Sequence, residues 1–143
     1  MATHWVGSTR LLECPQGSEY DEEAFMYFLG IERARAERAN QPVRVLLASL
    51  EPVPNQPAGL PHASAKKVFA GLRLTLRDTD VVGWYRQGHI AGAVLTFPAT
   101  AGADVATFER RVETALRRRL PAPLAERLKL RMVQLDIMAF VTA

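Results

Sequence analysis

The sequence predicts an α+β domain: a mainly antiparallel sheet threaded in the order β-α-β-β-α-β, with one further helix ahead of it. Three observations predict this. Apolar runs of strand length alternate with stretches of helical periodicity. Two short apolar segments flank a polar turn in "DVVGWYRQGHIAGAVLTF". Proline or glycine punctuates most junctions between these stretches. A chain of 143 residues fits one domain and is long enough to bury a real core.

Each element follows in order. Residues 1–18, with Gly7, Pro15 and Gly17, read as an irregular arm in which "HWVGSTRLLE" pairs at a sheet edge. Residues 19–143 read as the folded domain. "SEYDEEAFMYFLGIERARAERAN" opens on a Ser18 or Asp21 cap and acidic residues and closes on arginines, the charge order a helix dipole favours. Phe25, Phe28, Leu29 and the stem of Glu32 mark its inner face. Pro42 then announces the strand "PVRVLLASLE", whose near-continuous apolar run predicts burial on both faces. The loop "PVPNQPAGLP" holds four prolines. "HASAKKVFAGLRLTLRDTD" is a second amphipathic helix with Val68, Phe69, Leu72 and Leu76 facing inward. "DVVGWY" and "HIAGAVLTF" pair across "RQG", where Gly88 can take a positive φ. "DVATFERRVETALRRRL" is a third helix, stopped by Pro121 and Pro123. "RLKLRMVQLDIMAFV" closes the chain with a strand and room for a second short one. The β-α-β-β-α-β part is the ferredoxin-like, split βαβ order, with its helices on one sheet face.

Composition narrows the function classes. Apolar residues make up 48% and charged residues 23%, ordinary for a soluble domain. The net charge of +3 admits acidic partners without demanding nucleic acid. The single Cys14 excludes an internal disulfide and a thiolate metal cluster, so a reducing cytoplasm is expected. No apolar run is long enough to span a bilayer, and the start "MATHWVGSTRLLECPQGSEY" lacks the basic-then-apolar build of a secretory signal. No cofactor and no metal is called for.

Over roughly Glu19 to Leu135, the order and punctuation resemble the GGDEF domain family of diguanylate cyclases. "FLGIERARAERANQPVRVLLASLE" is similar to the family's arginine-rich helix, proline and first strand. "VFAGLRLTLRDTDVVGWY" is similar to its second helix running into the central hairpin. The resemblance implies a GGDEF-like core and sets the hairpin against the family's Gly-Gly-Asp/Glu-Glu-Phe signature. The five positions here read Arg86, Gln87, Gly88, His89 and Ile90, so the carboxylate pair is absent and only the final apolar residue is kept. The family's metal-ligating aspartate at the end of the first strand aligns with Ser49, and Glu51 stands where the next acid would be. Mg²⁺ takes carboxylate and phosphate oxygens, for which a serine and a histidine are poor substitutes. Phosphoryl transfer is largely positioning and charge neutralisation, so loss of those ligands implies loss of cyclase activity. The family's Asp-x-Leu-Thr-Gly-Leu turn before the first helix is missing as well.

One family feature matches by residue. Many GGDEF domains carry an Arg-x-x-Asp inhibitory site that binds cyclic di-GMP and ends five residues before the signature. Here Arg77 and Asp80 have that spacing, with "VVGWY" between Asp80 and Arg86. A guanidinium can bond two acceptors on the Hoogsteen edge of guanine, and a carboxylate can accept from its donors. Arg73, one helical turn earlier, can join them. The alternative is structural: Arg77 meets a helix C-terminus and Asp80 opens a strand after a turn.

Other residues carry less. His89 has no fixed catalytic partner, His4 and His62 form no metal spacing with it, and Trp84 shares a strand face with Val82 and is expected in the core. Arg33, Arg35 and Arg38, with Arg117 to Arg119, are basic clusters expected on solvated helix faces or at anion sites. An RNA-binding RRM shares the strand order, but its aromatic strand motifs are absent. Two functions are therefore expected. One is an inactive GGDEF-like signalling domain that receives cyclic di-GMP and reports it to a protein partner, as in bacterial polysaccharide systems. The other is a protein-interaction or dimerisation module, such as a homodimer, that binds no nucleotide.

Overall fold

The computed structural model describes residues 19–77, 80–95 and 105–135. The expected arm at 1–18, with Cys14 and His4, and any strand after Leu135 lie outside them. The elements are α1 (Glu22–Ala39), β1 (Val43–Leu50), α2 (His62–Thr75), β2 (Val81–Arg86), β3 (Ile90–Leu95), α3 (Val105–Arg119), the single turn α4 (Ala122–Ala125) and β4 (Leu128–Leu135). The described strands form one sheet in the order β2-β3-β1-β4, with every neighbouring pair antiparallel. This is the expected α+β architecture with its extra N-terminal helix.

Local chemistry sets the boundaries. The Asp21 carboxylate accepts the Ala24 N–H at 2.8 Å, which settles the choice of cap for α1 in its favour. Asn40 closes α1 at φ 56°, in the left-handed region that asparagine tolerates. Pro61 sets the extended entry to α2. Thr75 turns its hydroxyl back onto the carbonyls of Gly71 and Leu72, where α2 ends. The chain leaves α3 through Pro121, but Pro123 does not terminate helix; it sits inside the added turn α4.

The sheet is covered on both faces, as the apolar run of β1 requires. Leu46, Ala48 and Leu50 point to one face with Val82, Trp84, Ala91 and Ala93, where α2 supplies Val68, Phe69 and Leu72 and α3 supplies Phe108, Val112 and Leu116. Val43 and Val45 point to the other with Val94, under Phe25 and Leu29 of α1. The two helices of the β-α-β-β-α-β unit thus share one face, and the additional helix takes the opposite one. Trp84 meets Phe69 edge to face at 5.1 Å, a core contact as its strand position implied.

Tyr20 adds a parallel bridge to the outer edge of β2. Its N–H donates to Val82 O at 3.1 Å and its carbonyl accepts the Trp84 N–H at 2.9 Å. Gly83 permits this, because a Cβ there would lie 2.6 Å from Tyr20 O. The Tyr20 ring then packs against Phe28, tilted at 46° with centroids 4.8 Å apart, and ties the approach segment to α1.

Candidate functional site

Two groups of predicted residues lie at opposite ends of β2, about 17 Å apart along the strand. At its far end is the β2-β3 turn, where the family signature would stand. Arg86 is the last residue of β2, and the turn proper is Gln87 to His89, closed by the His89 N–H donating to Arg86 O at 2.9 Å. Gly88 has φ 77°, as the turn chemistry demanded. The register slips by one between Trp84 and Arg86, leaving Tyr85 as a bulge.

The turn is held from two sides. The Gln87 N–H donates to Glu22 Oε1 at 2.7 Å, and Gln87 Oε1 accepts the Glu22 N–H at 2.9 Å. That exchange satisfies one of the orphan N–H groups at the start of α1. From the other side, the Leu60 N–H donates to Gly88 O at 2.8 Å, and Gly59, at φ 107°, packs under Gly88 and His89. His89 is exposed. The signature positions therefore serve as a docking point for α1 and for the proline-rich loop.

Ser49 is brought to the same end. It lies one residue beyond the Ala48–Ala91 pair of β1 and β3, beside the start of the turn, and pairs with Lys129 across β4. Glu51 is drawn the other way, with its carboxylate 3.1 Å from Lys129 Nζ. Its backbone is bracketed by Arg127, through Glu51 N–H to Arg127 O at 2.7 Å and Arg127 Nε to Glu51 O at 3.0 Å. Among the described residues, no three His, Cys, Asp or Glu side chains are grouped to hold a metal ion.

Arg73, Arg77 and Asp80 occupy the near end of β2. The Arg77 N–H donates to Asp80 Oδ2 at 2.9 Å and the Asp80 N–H donates to Arg77 O at 3.0 Å. One turn thereby holds this carboxylate beside the backbone of Arg77, whose side chain is exposed. Arg73 is half-buried in the last turn of α2, 3.9 Å from the carboxylate of Glu19, and its Nη1 is buried without a hydrogen bond.

The basic clusters separate. Arg117 donates to Glu113 Oε2 at 3.0 Å and 2.7 Å, to Leu128 O at 3.2 Å and to Ala125 O, bracing the passage from α3 through α4 to β4. Its role is structural, and Glu113 four residues earlier was the signal for part of it. Arg118 and Arg119 are exposed. Arg35 pairs with Glu32 at 3.1 Å on the rim of a cleft between α1, Pro42 and Leu95. The roles of Arg127 and Gln87 were not anticipated; both act through partners distant in sequence.

No protein-family model matches the chain, and no curated protein matches it. Among solved structures, it is similar to the crystal structure of a DGC (diguanylate cyclase) protein from Thermotoga maritima. The TM-score is 0.60 over 82% of this chain and 81% of that one, at 14% sequence identity. At that identity the similarity establishes the fold, which is diguanylate cyclase-like and hence GGDEF-like. No helix of the described residues is long and apolar enough to cross a membrane.

Proposed function

We propose that this chain is a catalytically inactive GGDEF-like signalling domain that receives cyclic di-GMP at Arg77 and Asp80. The observation that carries the inactive reading is the engagement of the signature turn. Gln87 is spent on Glu22, and Gly88 O on Leu60. Ser49, which offers no carboxylate, stands where a metal ligand is needed. A nucleotide triphosphate finds neither the open glycine backbone nor the paired acids that in-line phosphoryl transfer requires. The similarity to a DGC protein supports the nucleotide class.

The receptor reading rests on the Arg77–Asp80 turn. It pre-sets the carboxylate and leaves the guanidinium in solvent, the pairing that a guanine edge needs. A specific observation favours the second reading, an interaction module: one Asp80 oxygen is already occupied by the Arg77 N–H, and Tyr27 is 55% exposed beside Phe28 on α1. Incubation with GTP and Mg²⁺ or Mn²⁺ tests the inactive reading, with no cyclic di-GMP above an enzyme-free control as the expected result. Product that disappears on Glu51→Ala or His89→Ala would refute it. Arg77→Ala tests the receptor reading, weakening cyclic di-GMP at least about tenfold, because a bidentate base contact contributes roughly 1–3 kcal/mol. Asp80→Ala is expected to relax guanine preference more than total nucleotide affinity.

A further inference from the structure

Charge is not spread evenly over this fold. Helices α2 and α3 together hold eight Lys or Arg and two Glu, a net +6, whereas the whole chain carries only +3. Outside these two helices the described residues carry nine Lys or Arg and nine Asp or Glu, a net charge of zero. Both helices lie on one sheet face, so the excess is a property of one side of the molecule. Arg73 and Arg117 are committed to Glu19 and Glu113. The other six, Lys66, Lys67, Arg110, Arg111, Arg118 and Arg119, are exposed and make no ion pair with a described residue.

The helices meet where Gly71, lacking a side chain, lets Leu116 and Arg119 close onto α2. Lys67 and Leu74 stand one turn to either side of Gly71. Leu74 is 69% exposed, the most exposed large apolar residue among those described. The pair of helices thus carries six exposed cations and one exposed leucine. Phe69 and Phe108 of these helices are buried, and the exposed ring, His62, stands at the first residue of α2, at the opposite end of the helix from Leu74.

We propose that the outer face of the α2–α3 layer docks on an anionic phospholipid bilayer, with Leu74 entering the headgroup region. A negative bilayer surface complements this basic face. The described residues outside these helices sum to zero charge, so the attraction is concentrated on this one face. A juxtamembrane Lys or Arg changes partitioning by about fivefold, so several together give reversible, salt-sensitive attachment. The proposal does not depend on cyclic di-GMP.

The test is co-sedimentation of the whole chain with vesicles of phosphatidylcholine alone and of phosphatidylcholine mixed with phosphatidylserine. Binding to the mixed vesicles only, falling steeply with added salt, is expected of the wild type. The triple variant Lys67→Ala, Arg111→Ala, Arg118→Ala should weaken it by about a hundredfold. Arg33→Ala, Arg35→Ala, Arg38→Ala removes the same charge from α1, on the opposite face, and should change binding far less. Thermal melts of both variants report whether each is folded, and the salt dependence of the wild type stands without any variant. Equal binding to neutral and mixed vesicles overturns the proposal, as does equal loss in the two triple variants. Displacement from vesicles by a duplex oligonucleotide at matched phosphate concentration also overturns it, and assigns the face to nucleic acid.

Discussion

Glu22 and Gln87 exchange two hydrogen bonds across a sequence separation of 65 residues, and the hairpin is anchored to the first helix through them. Both bonds are exposed to solvent, so each contributes modestly, about 1 kcal/mol at most. Glu22→Ala and Gln87→Ala should each lower stability by about that amount. The two changes remove different bonds, but each bond holds the two segments in place for the other, so the double variant should lose less than the sum. Urea unfolding of the four proteins checks this, and additive losses would show that the exchange is not a unit. Gln87 also marks what a sequence can and cannot display. The positive φ at Gly88 was legible, because a tight turn between two strands needs it locally. The partner of Gln87 was not, because nothing in the residues around position 87 points to position 22. Arg117 divides the same way: Glu113 is one helical turn back and visible, while Leu128 O becomes a partner only once α4 has turned the chain.

Two glycines test how the elements are assembled. Gly83 lets Tyr20 bridge the edge of β2, and a methyl group there would press against Tyr20 backbone atoms. Gly83→Ala should therefore cost about 1–3 kcal/mol, the range for an overpacked site. It should also raise hydrogen exchange at the Trp84 amide, which Tyr20 O accepts. Gly30 sits within α1 with nothing inside 4 Å of a Cβ. Gly30→Ala should stabilise by about 0.5–1 kcal/mol, through helix propensity and a less free unfolded chain. Thermal or urea unfolding separates the two signs, and a stabilising Gly83→Ala would contradict the bridge. The elements themselves were readable because caps, prolines and periodicity are local signals. The unbroken apolar run of β1 foretold two covered faces. Which helix covers which face was not written in any one element; it follows from the antiparallel order β2-β3-β1-β4, which places α2 and α3 together and leaves the other side to α1.

At the scale of the molecule, the fold separates what a GGDEF-like arrangement would join for catalysis from what it can keep for binding. One end of the sheet holds Ser49 and a turn occupied by Glu22 and Leu60. The other holds Arg77 beside a carboxylate fixed by its own turn. The central claim is that the second end outlives the first, and calorimetric titration of the whole chain with cyclic di-GMP, alongside GTP and ATP, tests it most directly. The account predicts heat with cyclic di-GMP that shrinks as salt is raised and is largely lost in Arg77→Ala, with thermal stability in the absence of nucleotide unchanged. No heat and no thermal shift at high micromolar cyclic di-GMP would contradict it, and so would an Arg77→Ala protein that binds as well as the wild type.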